Sequence, residues 1–285
     1  MNRRFQRRWR KMKKKDIAAT EALLRSHERW CMNACNRYLN RRSEKDSVWL
    51  LKNAAGDITA LIVRSKLSLL PVLCADAGKD PIPPPYFLRG FFGSVPVHSL
   101  QGRKEDMLIM EAALEKLGLY AEEKLDYDLM CIDHPPAGFY TPCAEVTLRK
   151  PDSADMDALA ALHAAYEQEE VLPTASEFSA ALSRMNIEQI FSKQQMLVAE
   201  LGGRLIGKIN TNASTFTRCQ VGGVYVLPEY RGRGIARRMA GEFITGLTAK
   251  GKGISLFVKK TNPAARRVYQ RIGFEILGDY RINYY

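Results

Sequence analysis

The residues best placed to do chemistry lie in VYVLPEYRGRGIARRM, 224–239. Val224, Tyr225 and Val226 read as strand, Pro228 breaks it, and Arg231-Gly232-Arg233-Gly234 leads into a helix opened by Ile235 and Ala236. A glycine-rich turn at a helix start exposes unpaired backbone N–H groups at the positive end of the helix dipole. Gly232 and Gly234 permit close approach and positive φ, while Arg231, Arg233, Arg237 and Arg238 can neutralise phosphate charge. Alone, the turn has two readings: a solvated basic turn, or a cradle for an anion such as pyrophosphate.

A second segment follows, TNPAARRVYQRIGFEI, 261–276. Asn262 suits an N-cap, Pro263 the first helical position, and Gly273 the helix stop. Ala264, Ala265, Val268, Tyr269 and Ile272 form the apolar stripe. On spacing alone Asn262 is a cap and Tyr269 a core aromatic.

Together, V-x-V-x-P-E-Y-R-G-R-G-I-A and N-P-A-A-R-R-V-Y-Q-R-I-G-F resemble the GNAT (Gcn5-related) N-acetyltransferase superfamily over residues 146–285. The loop matches the [RQ]-x-x-G-x-[GA] pattern at Arg231, Gly234 and Ala236; the helix matches at Asn262, Tyr269, Gly273 and Phe274. The resemblance implies acetyl-CoA as cosubstrate, without a metal. The loop 231–236 would wrap the pyrophosphate, and the backbone of Val224 and Val226 would pair with the pantetheine amides. An N–H near Val226 would polarise the thioester carbonyl. Asn262 would contact the coenzyme arm. Tyr269 would protonate the departing thiolate while a primary amine attacks directly. The acceptor is a small-molecule amine or an amine of a peptide or protein.

One position departs from the pattern. Where many relatives carry a basic glutamate, this chain has Gln220. Glu170, Glu200, Tyr225, His163 and Glu229 are alternative proton acceptors, with packed histidine the simpler reading of His163. The cluster EQEE (167–170) reads as a link between helices, either attracting a cationic amine or only solvated.

The elements that must position these residues occur twice. RKMKKKDIAATEALL (10–24) rhymes with RKPDSADMDALAALH (149–163), each with an aspartate, Asp16 or Asp155, placed as helix N-cap. NAAGDITALI (53–62) rhymes with ELGGRLIGKI (200–209) as a hairpin. LEKLGLYAEEKLDYDLM (114–130) rhymes with YQRIGFEILGDYRINYY (269–285) as helix end, glycine, strand, turn and strand. The predicted fold class is α+β: tandem GNAT-like units, each a mixed, mostly antiparallel twisted sheet flanked by helices. The expected domains are 1–140, a degenerate copy, and 145–285, the catalytic one, with the linker in DHPPAGFYTPCA. In the first copy QGRKED (101–106) is the nearest analogue of the Arg-Gly turn, with Glu105 and Asp106 repelling phosphate.

The 285 residues carry a net charge of +12, but nine of the 43 Lys/Arg fall in the first fifteen residues. Such an arm suits contact with RNA or the ribosome, or is solvated. No apolar run is long enough to span a membrane and no signal peptide is read. Six scattered cysteines read as reduced thiols in a cytoplasmic protein. The oligomeric state is open. The alternative to an N-acetyltransferase is an acetyl-CoA-binding regulator without turnover, anchored to RNA or ribosome by the arm.

Overall fold

The structure is a computed structural model that describes residues 9–41, 46–65, 67–73, 83–94, 97–135, 145–172 and 177–285. Two compact units emerge, residues 1–129 with 277–285, and residues 130–276. The sequence places the last nine residues in the second domain; in the structure they fall in the first unit.

The first unit runs β1 (Arg10–Lys11), α1 (Ile17–Ser26), α2 (Met32–Leu39), β2 (Ser47–Lys52), β3 (Ile58–Ser65), β4 (Ser68–Val72), α3 (Pro85–Ser94), β5 (Ser99–Arg103), α4 (Lys104–Glu115) and β6 (Glu123–Ile132), whose last residues enter the second unit. The second runs β7 (Thr147–Arg149), α5 (Met156–Tyr166), α6 (Ala180–Lys193), β8 (Met196–Leu201), β9 (Arg204–Ser214), β10 (Arg218–Val226), α7 (Ile235–Thr248), β11 (Gly253–Lys259), α8 (Pro263–Ile272) and β12 (Glu275–Tyr284), whose end returns to the first. The two element orders are the same. So is the pairing: β1 to β4, like β7 to β10, pair antiparallel with their neighbours, while β5 and β11 join parallel.

This correspondence corrects one alignment. The Arg-Gly turn lies between β10 and α7, so its counterpart is the β4–α3 connection, of which residues 74–82 lie outside the described residues. QGRKED instead joins β5 to α4 and corresponds to the Asn262 segment. The match on basic and glycine residues followed composition; strand order decides otherwise.

Two local readings also change. Neither Asp16 nor Asp155 caps the helix that follows it. Each reaches back three residues, Asp16 accepting from the Lys13 N–H at 3.0 Å and Asp155 from the Asp152 N–H at 2.8 Å. Each also binds a cation, Lys52 or Arg149. Residues 275–284 form one continuous strand rather than two joined by a turn. Its end pairs antiparallel with β5 from Tyr280–Arg103 to Tyr284–Ser99. Arg281 there binds Asp126 and Glu111, and Asn283 binds Glu111.

Of the basic arm, residues 1–8 lie outside the described residues. Trp9 is buried and stacks on Phe87 at 5.6 Å, and Arg10–Lys11 form β1, so this part belongs to the fold. Cys31, Cys35, Cys131 and Cys219 are buried thiols. Among the described residues no helix is long and apolar enough to cross a membrane, and no cluster of three metal-ligating side chains occurs.

Candidate active site

The site forms where β10 and β11 part. They pair only at Arg218–Gln220 with Gly253–Ser255, so beyond Gln220 the ladder of β10 continues on its β9 side. The Leu227 N–H bonds the Ile206 carbonyl on β9. By strand alternation Val226 and Val224 therefore turn their backbone polar groups toward the gap. Arg231 Nε takes the Val226 carbonyl at 2.9 Å, which leaves the N–H groups of Val224 and Val226 as donors facing that gap.

The chain next makes a 3₁₀ turn, Pro228–Tyr230, and enters α7 through the Arg-Gly turn. Gly232 and Gly234 have φ of 78° and 76°. A Cβ added at either would meet nothing within 4 Å, so the backbone angle and not lack of room requires glycine. The N–H groups of residues 232–237 find no acceptor among the described residues. Helix α7 is anchored beneath by Ile235, Met239, Phe243, Ile244 and Leu247, buried residues on every turn, so this row of donors is rigidly held.

Helix α8 forms the far wall. Asn262 Oδ1 accepts from the Ala265 N–H at 3.0 Å as the cap, and its Nδ2 donates to Glu170 Oε1 at 3.0 Å. Tyr269 belongs to both the core and the groove wall. Its ring packs edge-on against Phe274 in the core, with 8% of the residue exposed, and it lines the groove. Its hydroxyl makes no hydrogen bond among the described residues. Burial, then the nearby Tyr166 and Glu170, push its proton affinity up, so it stays protonated at neutral pH. The groove enclosed by these walls holds about 690 Å³, within the range of small-molecule sites.

The arginines divide by role. Arg231 grips Glu169 with both terminal nitrogens at 2.8 Å, and Tyr225 donates to the same carboxylate at 3.2 Å. Its charge is thereby matched, and it latches the turn to the end of α5 rather than remaining free for a phosphate. Arg238 donates to the Val146 carbonyl and does not line the groove. Arg233, Arg237 and Arg271 line the groove and make no ion pair among the described residues. Arg271 was not singled out in sequence; its place on the polar face of an amphipathic helix gave no signal.

EQEE lies between α5 and α6, as read from the sequence, but as helix and not as loop. Glu167–Val171 is a π-helical turn continuing α5, and it brings Glu169 and Glu170 to the groove. Such turns re-aim side chains at the end of a helix. Of the other candidate bases, Tyr225 lines the groove, but Glu200 is paired with Arg149 and Glu229 with Arg204, both outside its wall. Gln220 is buried where the strands still pair, its Oε1 without a partner among the described residues. His163 is buried on α5 and held neutral, pushed down to about 4 by burial and then by Lys208. Its Nε2 lies 3.2 Å from Glu167 Oε1, outside hydrogen-bond geometry, and desolvation prevails over that attraction.

The profile of the acetyltransferase (GNAT) family matches residues 159–274, from α5 to the end of α8. This segment is a GNAT acetyltransferase domain. A GCN5-related N-acetyltransferase from Sphaerobacter thermophilus is similar over 97% of this chain and 94% of its own, at 19% identity and TM-score 0.60. A Drosophila protein is similar over 98% and 99%, at 13% identity and TM-score 0.64. Both extend the fold likeness to nearly the full length. The chain spans 65% of a GNAT-family protein from Novosphingobium aromaticivorans, covering 57% of itself, at 22% identity and TM-score 0.44, too little to argue from. Among curated proteins no sequence matches.

Proposed function

We propose that the second unit is an N-acetyltransferase that moves the acetyl group of acetyl-CoA directly to a primary amine. One observation carries this reading: a strand with free inward N–H groups, six unpaired N–H groups at a helix start and an unbonded, protonated phenol line one groove. The cosubstrate fits that donor set. A pyrophosphate takes the N–H groups of residues 232–237, with Arg233 and Arg237 beside it. Val224 and Val226 hold the pantetheine arm as a neighbouring strand would. The bound coenzyme supplies an activated acyl group with a thiolate leaving group. Tyr269 gives its proton to that thiolate as the carbon–sulfur bond breaks. The amine enters unprotonated and forms the new bond, and its surplus proton leaves through water or Glu170. Glu169 is held by Arg231 and serves as scaffold.

The test is calorimetric titration with acetyl-CoA, then a screen of amine classes read by released thiol. Absence of coenzyme binding sinks the proposal. Tyr269→Phe should lower kcat about 10²-fold, a general-acid magnitude, with coenzyme affinity nearly unchanged. An unaltered rate would remove Tyr269 from the acid role. The reading of a binding protein without turnover is favoured by the pairing of both groove carboxylates, Glu169 and Glu170. Tight coenzyme binding with no transfer across the screen would select it.

A further inference from the structure

Lys208 on β9 is fully buried, yet makes no ion pair among the described residues. The groups around it come from every neighbouring element. From α5 the Tyr166 ring lies 4.5 Å from Nζ and His163 acts on it as a neutral neighbour. From the π-helical turn comes Glu167, whose Oε1 accepts instead from Asn186 at 3.0 Å. From β10, Tyr225 is its register partner. Asn210 Oδ1 on its own strand is 3.5 Å away, and the short contact is to the Gly223 carbonyl, 3.0 Å. A buried cation without a counter-ion costs stability and calls for a different reason to be present.

That reason lies in the β10 bulge. The ladder with β9 shifts register between Gly222 and Tyr225. Gly223 sits there at φ 59°, where a Cβ would come within 2.1 Å of Asn210 Oδ1 and 3.0 Å of Lys208 Nζ. Glycine is therefore required by angle and by room, and the bulge is pressed onto the lysine. The Gly223–Val224 peptide is trans, so its carbonyl and N–H point in opposite directions. With the carbonyl turned to Lys208, the Val224 N–H turns toward the gap between β10 and β11, and Val224 lines the groove.

We propose that Lys208 is a positioning residue that fixes the bulge and polarises the Gly223–Val224 peptide, strengthening the Val224 N–H as a donor into the groove. A charged donor on the carbonyl draws electron density from the N–H side of the same peptide. This rests on the acetyl-transfer reading and departs from it at one point: the thioester oxygen, on which negative charge develops, is set before the Val224 N–H, and the pantetheine amide is left to Val226. The protonated lysine is the working form. Burial pushes its proton affinity down to about 7, so the donor weakens as pH rises through neutrality.

The test compares wild type with Lys208→Met, which keeps length and removes charge. Expected are a roughly tenfold lower kcat, less than the loss of a whole oxyanion donor, an unchanged KM for acetyl-CoA, and a Tm equal to or above wild type. A merely structural lysine would lower Tm and leave the chemistry of the folded fraction intact. The Val224 amide proton, followed by NMR, should titrate together with the Lys208 side chain in wild type and shift upfield without titrating in the variant. An unchanged kcat together with an unmoved Val224 resonance overturns the proposal. Should the variant not fold, a Val224 resonance in wild type that stays flat while the Lys208 side chain itself titrates, followed by the carbon shift beside Nζ, overturns it equally. A wild-type chain that neither binds acetyl-CoA nor transfers acetyl rejects the reading of the site, and the Val224 titration still decides the role of Lys208.

Discussion

Arg231 uses one guanidinium for three hydrogen bonds, two to Glu169 and one to the Val226 carbonyl. Both partners of the ion pair are about 40% exposed, so solvent screening leaves it little stabilising energy, roughly 0–1 kcal/mol. Its importance is geometric. Arg231→Gln should shift Tm by no more than a degree or two, in line with that small energy, yet weaken acetyl-CoA binding by a factor of about ten as the turn loses its anchor. Equal affinity in a titration would show that the turn holds its shape without the latch. His163 gives a prediction about pH. Its folded value near 4 lies below the unfolded value of 6.5, so the unfolded chain binds more protons between them. Its contribution is fully present above 6.5 and lost as pH falls toward 4. His163→Leu should therefore narrow the gap in urea midpoint between pH 7 and pH 5. An identical gap in both proteins would contradict the buried neutral assignment.

At the scale of elements, the site depends on how α7 and α8 begin. Gly234→Ala places a Cβ at φ 76° and should cost about 1–2 kcal/mol. Coenzyme affinity should fall further than stability, because the strained turn moves the unpaired N–H groups. Thermal melts with and without acetyl-CoA measure both, and an undiminished ligand-induced rise in Tm would count against the cradle. Asn262→Ala removes a helix cap, worth about 1 kcal/mol, and frees Glu170. A cap-only residue would lose stability without change in kcat; the groove geometry predicts that KM for the acceptor amine also changes. The start signals of both helices, Pro263 after Asn262 and Gly234 before Ile235, were legible because capping is local. The π-helical turn was not: the polar run Glu167-Gln168-Glu169-Glu170 carries no sign of an extra residue per turn, and that extra residue is what aims Glu169 and Glu170.

For the whole molecule, residues 277–285 have the largest consequence. They end a strand that pairs with β5, and they carry Tyr280, Arg281 and Asn283 into buried bonds of the first unit. Arg281 holds the Asp126 carboxyl down at about 2, so that pairing is lost only as pH falls from 3.8 toward 2. A chain ending at residue 276 should lose cooperative unfolding of residues 1–129 and aggregate through the bared edge of β5. Unfolding as sharp as in the intact chain, by denaturant and light scattering, would refute this. The sequence by itself determined the repeated α+β pattern, the Asn262 cap and Gly273 stop of α8, and the glycine turn, since all are written in short-range spacing. Tertiary structure alone decided which arginines keep free charge and which strand closes the first unit's sheet. It also decided that the bulge in β10 rests on Lys208. Those outcomes depend on which distant groups meet, and a side chain's charge or a strand's edge is committed only when its partner arrives from elsewhere in the chain.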